Sequence, residues 1–239
     1  MKNKTYKFAD IVADVSYETD YVLEQCKDYI SGESAELNIS VAAEDVEIEK
    51  KRSDGEEYPY GYLESLALYR KFCNAAVYKD VLLFHSSAIA VDGKAYLFAA
   101  PSGTGKSTHT RLWRRAFGDR AVTVNDDKPL VKLVGDALTV YGTPWDGKHK
   151  LSSNTSATVA GICFLARGKE NRIKRLSPME ALPEFLSQTY RPEGEEGVKK
   201  MLDLSMKIIA SVPMYKLECN ISDEAVKVAY EEMSGDKFN

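Results

Sequence analysis

The stretch "AAPSGTGKST", residues 99–108, decides how the chain is read. An apolar run, "KAYLFAA", leads into it and a helical pattern follows it. A phosphate-cradling loop is written Gly, four residues, then Gly-Lys-Ser/Thr. The second half is intact as Gly105-Lys106-Ser107, while Ala100 stands where the first glycine would be. Gly103 and Gly105 can take positive φ, which turns successive backbone N–H groups inward to make an anion-binding nest. A helix beginning near Lys106 would add the positive end of its dipole. Lys106 can reach β- and γ-phosphates, and the Ser107 hydroxyl can ligate Mg²⁺. The expectation is a nucleotide held by Ser102, Gly103, Thr104, Gly105, Lys106, Ser107 and Thr108.

Working outward, "LLFHSSAIAV", Asp92-Gly93 and "KAYLFAA" read as two strands joined at an Asp-Gly turn. The strand feeding the loop is then antiparallel to the one before it, unlike the parallel sheets that helix crossovers build. "AVTVNDD" reads as a buried strand, "PLVKLV", Gly135-Asp136 and "ALTVYG" as a second hairpin, and "ATVAGICFLA" as a core strand. "SPMEAL" carries a Ser-x-x-Glu capping box with Pro at the first helical position. A helix over about Val198–Ser211, a strand at "MYKLEC" and a final helix capped by Ser222 complete the chain. Ahead of the loop, "ELNISV" and "VEIEK" alternate like strands, and "DYVLEQCKDYI" reads as a helix. "YLESLALYRKFCNAAVYKD" places Leu63, Leu66, Tyr69, Phe72 and Ala76 on one helical face. The fold class is α/β, a mixed sheet with substantial antiparallel pairing. The charged stretch "EKKRSDGEEYPYG" divides an N-terminal α+β segment (1–60) from a phosphotransferase domain (61–239), unless the two form one continuous domain.

Bulk properties narrow the class. At 239 residues the chain can bury a sizeable core, and a net charge of -4 points to neither nucleic-acid binding nor a charged tail. Cys26, Cys73, Cys163 and Cys219 are far apart with no CxxC pair, a pattern of reduced thiols rather than a disulfide frame or zinc site. No window approaches the roughly 18 apolar residues of a membrane span, and the N-terminus carries no signal-peptide core. These features predict a cytoplasmic protein with no membrane partner, as a monomer or a homo-oligomer.

Four further places carry chemistry. Asp126 and Asp127 end a strand, where carboxylates hold Mg²⁺ or accept a proton from an attacking hydroxyl. His85 lies in the strand that the hairpin folds beside the loop, which brings it near the phosphates or metal. "GTPWDGKHK", residues 142–150, reads either as a structural turn or as a rim for a second substrate, with Trp145, Asp146 and Lys148 facing it. "SQTYRPEGEEG" reads as a surface loop or as a lid carrying Arg191. His109, in the first turn after the loop, is expected to pack or hydrogen-bond locally, and "RLWRR" to form a partly solvated helical face.

His85, the hairpin, "SGTGKST" and the Asp126-Asp127 pair follow one another in an order that resembles the HPr kinase and phosphoenolpyruvate carboxykinase group of P-loop enzymes. "HSSA" followed by "SGTGKST" is especially similar to the carboxykinase version. The resemblance covers residues 81–150 well and the rest to about 233 more loosely. It implies phosphoryl transfer between a nucleotide and an acceptor. By that likeness Lys106 grips the phosphates, Asp126 is the base that takes the hydroxyl proton, and Ser107 and Asp127 hold the metal. His85 then orients the acceptor or ligates a second metal. "TPWDGK" stands where true HPr kinases carry "LEVRG", and the N-terminal third does not resemble their regulatory domain. The reading that results is an ATP- and Mg²⁺-dependent kinase (with Mn²⁺ as an alternative metal) acting on a hydroxyl of a peptide or small molecule. A carboxykinase-like enzyme on a small acid and a non-catalytic nucleotide-binding regulator are the alternatives.

Overall fold

The computed structural model describes residues 1–53 and 55–238. The chain clusters into two compact units, Met1–Val81 and Leu82–Asn239. In the first unit, β1 (Lys2–Phe8) and β2 (Ile11–Tyr17) pair antiparallel through a turn whose two residues, Ala9 and Asp10, both have positive φ. Helix α1 (Asp20–Gln25) follows, and β3 (Leu37–Ser40) adds parallel to β2. Helices α2 (Ala43–Arg52) and α3 (Tyr60–Ala76) complete the unit. The stretch "VEIEK", expected as an alternating strand, lies inside α2. Its alternation rests on two apolar residues, of which Val46 is buried and Ile48 is exposed. Acidic Glu44 and Asp45 in the first turn and basic Lys50, Lys51 and Arg52 in the last suit a helix dipole. The Asp45 carboxylate also accepts the Ala42 N–H at 2.8 Å, capping the start.

The second unit is built on a mixed sheet, nine-stranded among the described residues. Its strands in chain order are β4 (Val81–Leu83), β5 (Ser87–Val91), β6 (Lys94–Ala99), β7 (Ala121–Asn125), β8 (Leu130–Val134), β9 (Ala137–Tyr141), β10 (Ser156–Arg167), β11 (Arg172–Arg175) and β12 (Met214–Cys219). The spatial order is β4-β8-β9-β10-β6-β5-β7, with β12 beside β10 and β11 beside β12. Both predicted hairpins are present, β5–β6 through Asp92-Gly93 and β8–β9 through Gly135-Asp136. Asp92 and Gly93 both have positive φ, the twist that a two-residue hairpin turn needs. β10 is parallel to β6 along one edge; along the other its first half pairs with β9 and its second half with β12. β7 is an edge strand with Val122 exposed, rather than fully buried as its sequence suggested.

Helices α4 (Lys106–Phe117) and α7 (Asp223–Ser234) contribute to the core of this unit, while α5 (Pro178–Gln188) and α6 (Glu195–Ser211) lie between β11 and β12 in the chain. Trp113 of α4 is fully buried, its ring 4.9 Å from Tyr96 and 5.1 Å from Phe98. The run "RLWRR" is partly solvated, as its sequence suggested: Arg111 and Arg115 are exposed, while Leu112 and Trp113 are in the core. Large aromatic area buried at one helix–sheet contact fixes the orientation of α4, and with it the loop that precedes α4.

Gly142 follows β9 where two backbones converge. A Cβ there would sit 1.8 Å from the Ser153 carbonyl oxygen and 2.7 Å from that of Val124. Neither backbone atom can swing aside as a side chain would. Gly142→Ala is expected to cost about 3 kcal/mol through forced backbone shifts. A thermal melt should show the midpoint falling by roughly 10 °C.

Candidate functional site

The glycine-rich loop joins the end of β6 to the start of α4. Gly103 has φ +76° and Gly105 φ +127°, and no heavy atom lies within 4 Å of a Cβ built on either. Both glycines thus supply conformations that L side chains rarely adopt, and both border open space. The Lys106 side chain is buried and its Nζ donates to the Ala100 carbonyl at 2.9 Å. Burial lowers the Lys106 pKa, opposed by the negative charges of Asp127 and Asp126. Lys106 is therefore in the electrostatic range of both aspartates.

The aspartates are positioned by the turn after β7. The β5–β7 register runs Ala88↔Asn125 and then Ile89↔Thr123, skipping Val124 as a β-bulge. A bulge re-aims the residues that follow it. The Asn125 side-chain oxygen accepts the Asp127 N–H at 2.8 Å and the Lys128 N–H at 2.7 Å. Its amide donates to the Thr143 carbonyl at 3.1 Å and to Thr143 Oγ1 at 3.0 Å. Thr143 Oγ1 in turn donates to the Lys128 carbonyl at 2.8 Å. The sequence reading missed Asn125 and Thr143, although an Asn just before a turn is a recognisable signal for such a device.

Asp126 is 4% exposed, and its Oδ2 has no hydrogen-bond partner. A Cβ on Gly147 would lie 3.2 Å from that oxygen, so the 142–150 segment closes tightly over the carboxylate. Asp127 points differently: its carboxylate meets His85 Nε2 at 3.2 Å and also pairs with the Lys128 ammonium. Burial works to raise the Asp127 pKa, but His85 and Lys128 outweigh it and hold the carboxyl well below the usual range. Two adjacent carboxylates thus have opposite surroundings, one orphaned and one doubly paired. Lys128 is a second residue the sequence reading passed over.

His85 lies in the break between β4 and β5 rather than in one continuous strand. Its N–H donates to the Gln188 carbonyl at 2.8 Å, and the next N–H, of Ser86, to the Asp127 carbonyl at 3.2 Å. The Ser87 hydroxyl donates to the Asp126 carbonyl at 3.2 Å. The segment expected as a surface loop or lid starts later than its composition suggested. Ser187 and Gln188 end α5, Tyr190 N–H is held by the Leu83 carbonyl at 3.0 Å, and Arg191 follows as an exposed side chain. Across the site, Trp145 is only 3% exposed, and its carbonyl accepts from Thr143 Oγ1 at 3.3 Å. Asp146 has its pKa raised by burial, and Lys148 is exposed.

The structure therefore brings His85, Lys106, Asp126, Asp127 and the 142–148 segment to one end of the sheet. No group of three or more His, Cys, Asp or Glu side chains among the described residues is arranged to hold a metal ion unaided. No helix among them is long and apolar enough to cross a membrane. A further residue on the loop is Arg167, at the end of β10, which donates to the Gly103 carbonyl at 2.6 Å and to that of Thr104 at 3.3 Å.

No protein-family model and no curated protein matches the chain. Among solved structures, the HPr(Ser) kinase/phosphatase from Coxiella burnetii is similar with 12% sequence identity and a TM-score of 0.37, over 64% of this chain and 97% of that one.

His109 packs behind the loop. Its Nε2 accepts the Trp113 indole N–H at 3.0 Å, and its ring stands edge-on to Phe98 at 4.6 Å. That bond leaves Nε2 unprotonated, and burial lowers the pKa to about 4. An unfolded imidazole takes a proton near 6.5. Between these values the unfolded chain binds more protons, so acidification from pH 6.5 towards 4 removes stability, about 3 kcal/mol in full. Urea titrations of the protein and His109→Gln across this window should show the gap between them narrowing by that amount as pH falls.

Proposed function

We propose that the chain is a kinase that moves the γ-phosphoryl group of ATP onto a hydroxyl of a peptide or small molecule, with Mg²⁺ as cofactor. The observation that carries the reading is the Asp126 carboxylate, buried with an unpartnered oxygen in the same electrostatic neighbourhood as Lys106. A buried acceptor left without a donor is costly, and such groups are kept where a ligand completes them. A hydroxyl proton is the missing donor in this reading.

The residues present fit the groups required. The positive-φ glycines with open space in front of them suit a chain of phosphates. Mg²⁺ is commonly held by one or two carboxylates together with phosphate oxygens, so Ser107 and Asp127 are sufficient protein donors. Bound there, Mg²⁺ would neutralise charge on the phosphates; Mn²⁺ has the same donor preference. Lys106 would leave the Ala100 carbonyl to grip the phosphates. Asp126 takes the acceptor's proton as the acceptor oxygen forms its bond to the γ-phosphorus. The bond from that phosphorus to the bridging oxygen breaks, and ADP departs with the electron pair. Asp127, kept anionic by His85 and Lys128, would exchange one of these partners for the metal. In this reading His85 orients the acceptor, and Asp146, Lys148 and Arg191 are the exposed or half-buried groups that would meet it. Trp145 supports this rim from beneath.

The test is transfer of labelled γ-phosphate from Mg-ATP into a host lysate separated into protein, peptide and metabolite fractions. Label should enter one fraction, and Asp126→Asn and Lys106→Ala should each lower the rate at least about a hundredfold. Tight nucleotide binding with no label in any fraction would overturn the kinase reading in favour of a regulatory nucleotide-binding protein.

A further inference from the structure

Tyrosines gather on one surface of the first unit. Tyr21 of α1 is 42% exposed, and Tyr58, just before α3, and Tyr60, its first residue, are each 41% exposed. Tyr62 is half-buried and joins them, its ring 5.1 Å from that of Tyr58 and 6.3 Å from that of Tyr21. Gly61 lets α1 and α3 meet here, since a Cβ on it would lie 2.6 Å from the Tyr21 Cβ. Large side chains exposed singly are ordinary, whereas a contiguous group of them marks an interaction surface. Tyrosine suits that purpose because it offers a large, rigid face at small entropic cost.

Carboxylates surround these rings. The Tyr60 hydroxyl donates to Glu18 Oε2 at 3.2 Å, and the Tyr58 hydroxyl donates to Glu56. Burial and the negative charges of Glu18, Glu64 and Glu44 raise the Tyr60 pKa, which places all three acids within its electrostatic range. Glu64 is buried and accepts the backbone N–H groups of Glu18 and Thr19, but Glu18, Glu44 and Glu56 are exposed. Among the described residues, none of these three exposed acids pairs with a Lys or Arg. Their neighbours Asp20 and Glu24, by contrast, pair with Lys2 and Lys27. The tyrosine surface therefore carries negative charge that the first unit itself does not neutralise.

We propose that this surface binds an arginine-bearing peptide segment of another protein, with guanidinium groups lying over the tyrosine rings and pairing with the carboxylates beside them. A cation over an aromatic face is attracted by the ring quadrupole, and arginine is the more frequent partner. Its planar fork also matches a carboxylate, which the lysine ammonium does not. The same acids repel phosphates, so nucleic acid and anionic lipid are disfavoured as occupants. No nucleotide is needed for this contact, which involves the first unit alone.

Fluorescence anisotropy on the full chain tests this with labelled octapeptides that alternate Gly with Arg, with Lys or with Glu. At low salt the Arg peptide should bind with a Kd below about 100 µM, the Lys peptide at least about threefold more weakly, and the Glu peptide not at all. Tyr58→Leu keeps an apolar side chain but removes the ring, and Glu18→Gln removes one charge. Each should weaken the Arg peptide by about threefold to tenfold. Glu195→Gln, at an exposed position of the second unit, should leave it unchanged. Hydrogen exchange on the unaltered protein gives a reading without substitution: the Arg peptide should slow exchange in residues 18–25 and 56–64. Protection confined to other segments overturns the proposal, as does a Lys or Glu peptide binding as tightly as the Arg peptide. An Arg-peptide affinity that either Tyr58→Leu or Glu18→Gln leaves unchanged, or that Glu195→Gln lowers equally, also overturns it. If the protein alone self-associates through these segments and the Arg peptide does not compete, the occupant is a second copy of the chain and the proposal falls.

Discussion

The side chain of Asn125 joins the pieces on which the site depends. Its oxygen holds two backbone N–H groups of the turn carrying Asp126 and Asp127, and its amide holds Thr143 at the root of the 142–150 segment. Asn125 and Thr143 are fully buried, so the bonds between them form away from competing water. The bulge at Val124 turns Asn125 to where it can make them. On the other side, backbone and hydroxyl donors from Ser86 and Ser87 hold the carbonyls of the same two aspartates. One amide thereby sets the distance between the acidic pair and the segment that covers it.

Within that frame, charge is distributed unevenly. Asp127 is surrounded by donors and stays ionised; Asp126 is buried with an oxygen left over. Lys106 lies between opposing influences, burial favouring the neutral amine and the aspartates favouring the ammonium. Its bond to Ala100 gives the charge a resting partner that is weaker than a phosphate. Paired carboxylates with divergent environments are the usual way in which one site divides proton and cation duties.

Local signals served well where they were strong. Asp92-Gly93 and Gly135-Asp136 marked both hairpins, and Ser177-Pro178 with Glu180 marked the start of α5 through a capping box that is present in full. Signals weakened where few residues carried them. In "VEIEK" two apolar residues imitate a strand, whereas the end charges and the Asp45 cap decide for a helix. "RLWRR" looks polar by count, but Trp113 lies on the face that meets Tyr96 and Phe98. The β1–β2 hairpin escaped notice because its turn, Ala9-Asp10, contains no glycine. Trp145, read as facing a substrate rim, is buried because its segment is drawn inward by Asn125 and by Gly147 over Asp126.

The sequence by itself determined the glycine loop and the antiparallel strand that feeds it, and it singled out Lys106, Asp126, Asp127 and His85 as the residues proposed to act beside it. Each of these follows from interactions among near neighbours in the chain, which leave a pattern of spacing. Only the tertiary structure decided that Asp126 is orphaned while Asp127 is paired, and that Lys128, Thr143 and Arg167 belong to the site. Those depend on burial and on contacts between segments far apart in sequence: β10 lies beside β6, and the turn after β7 is held against the root of the 142–150 segment. Contacts of that kind leave no period in a single chain to read.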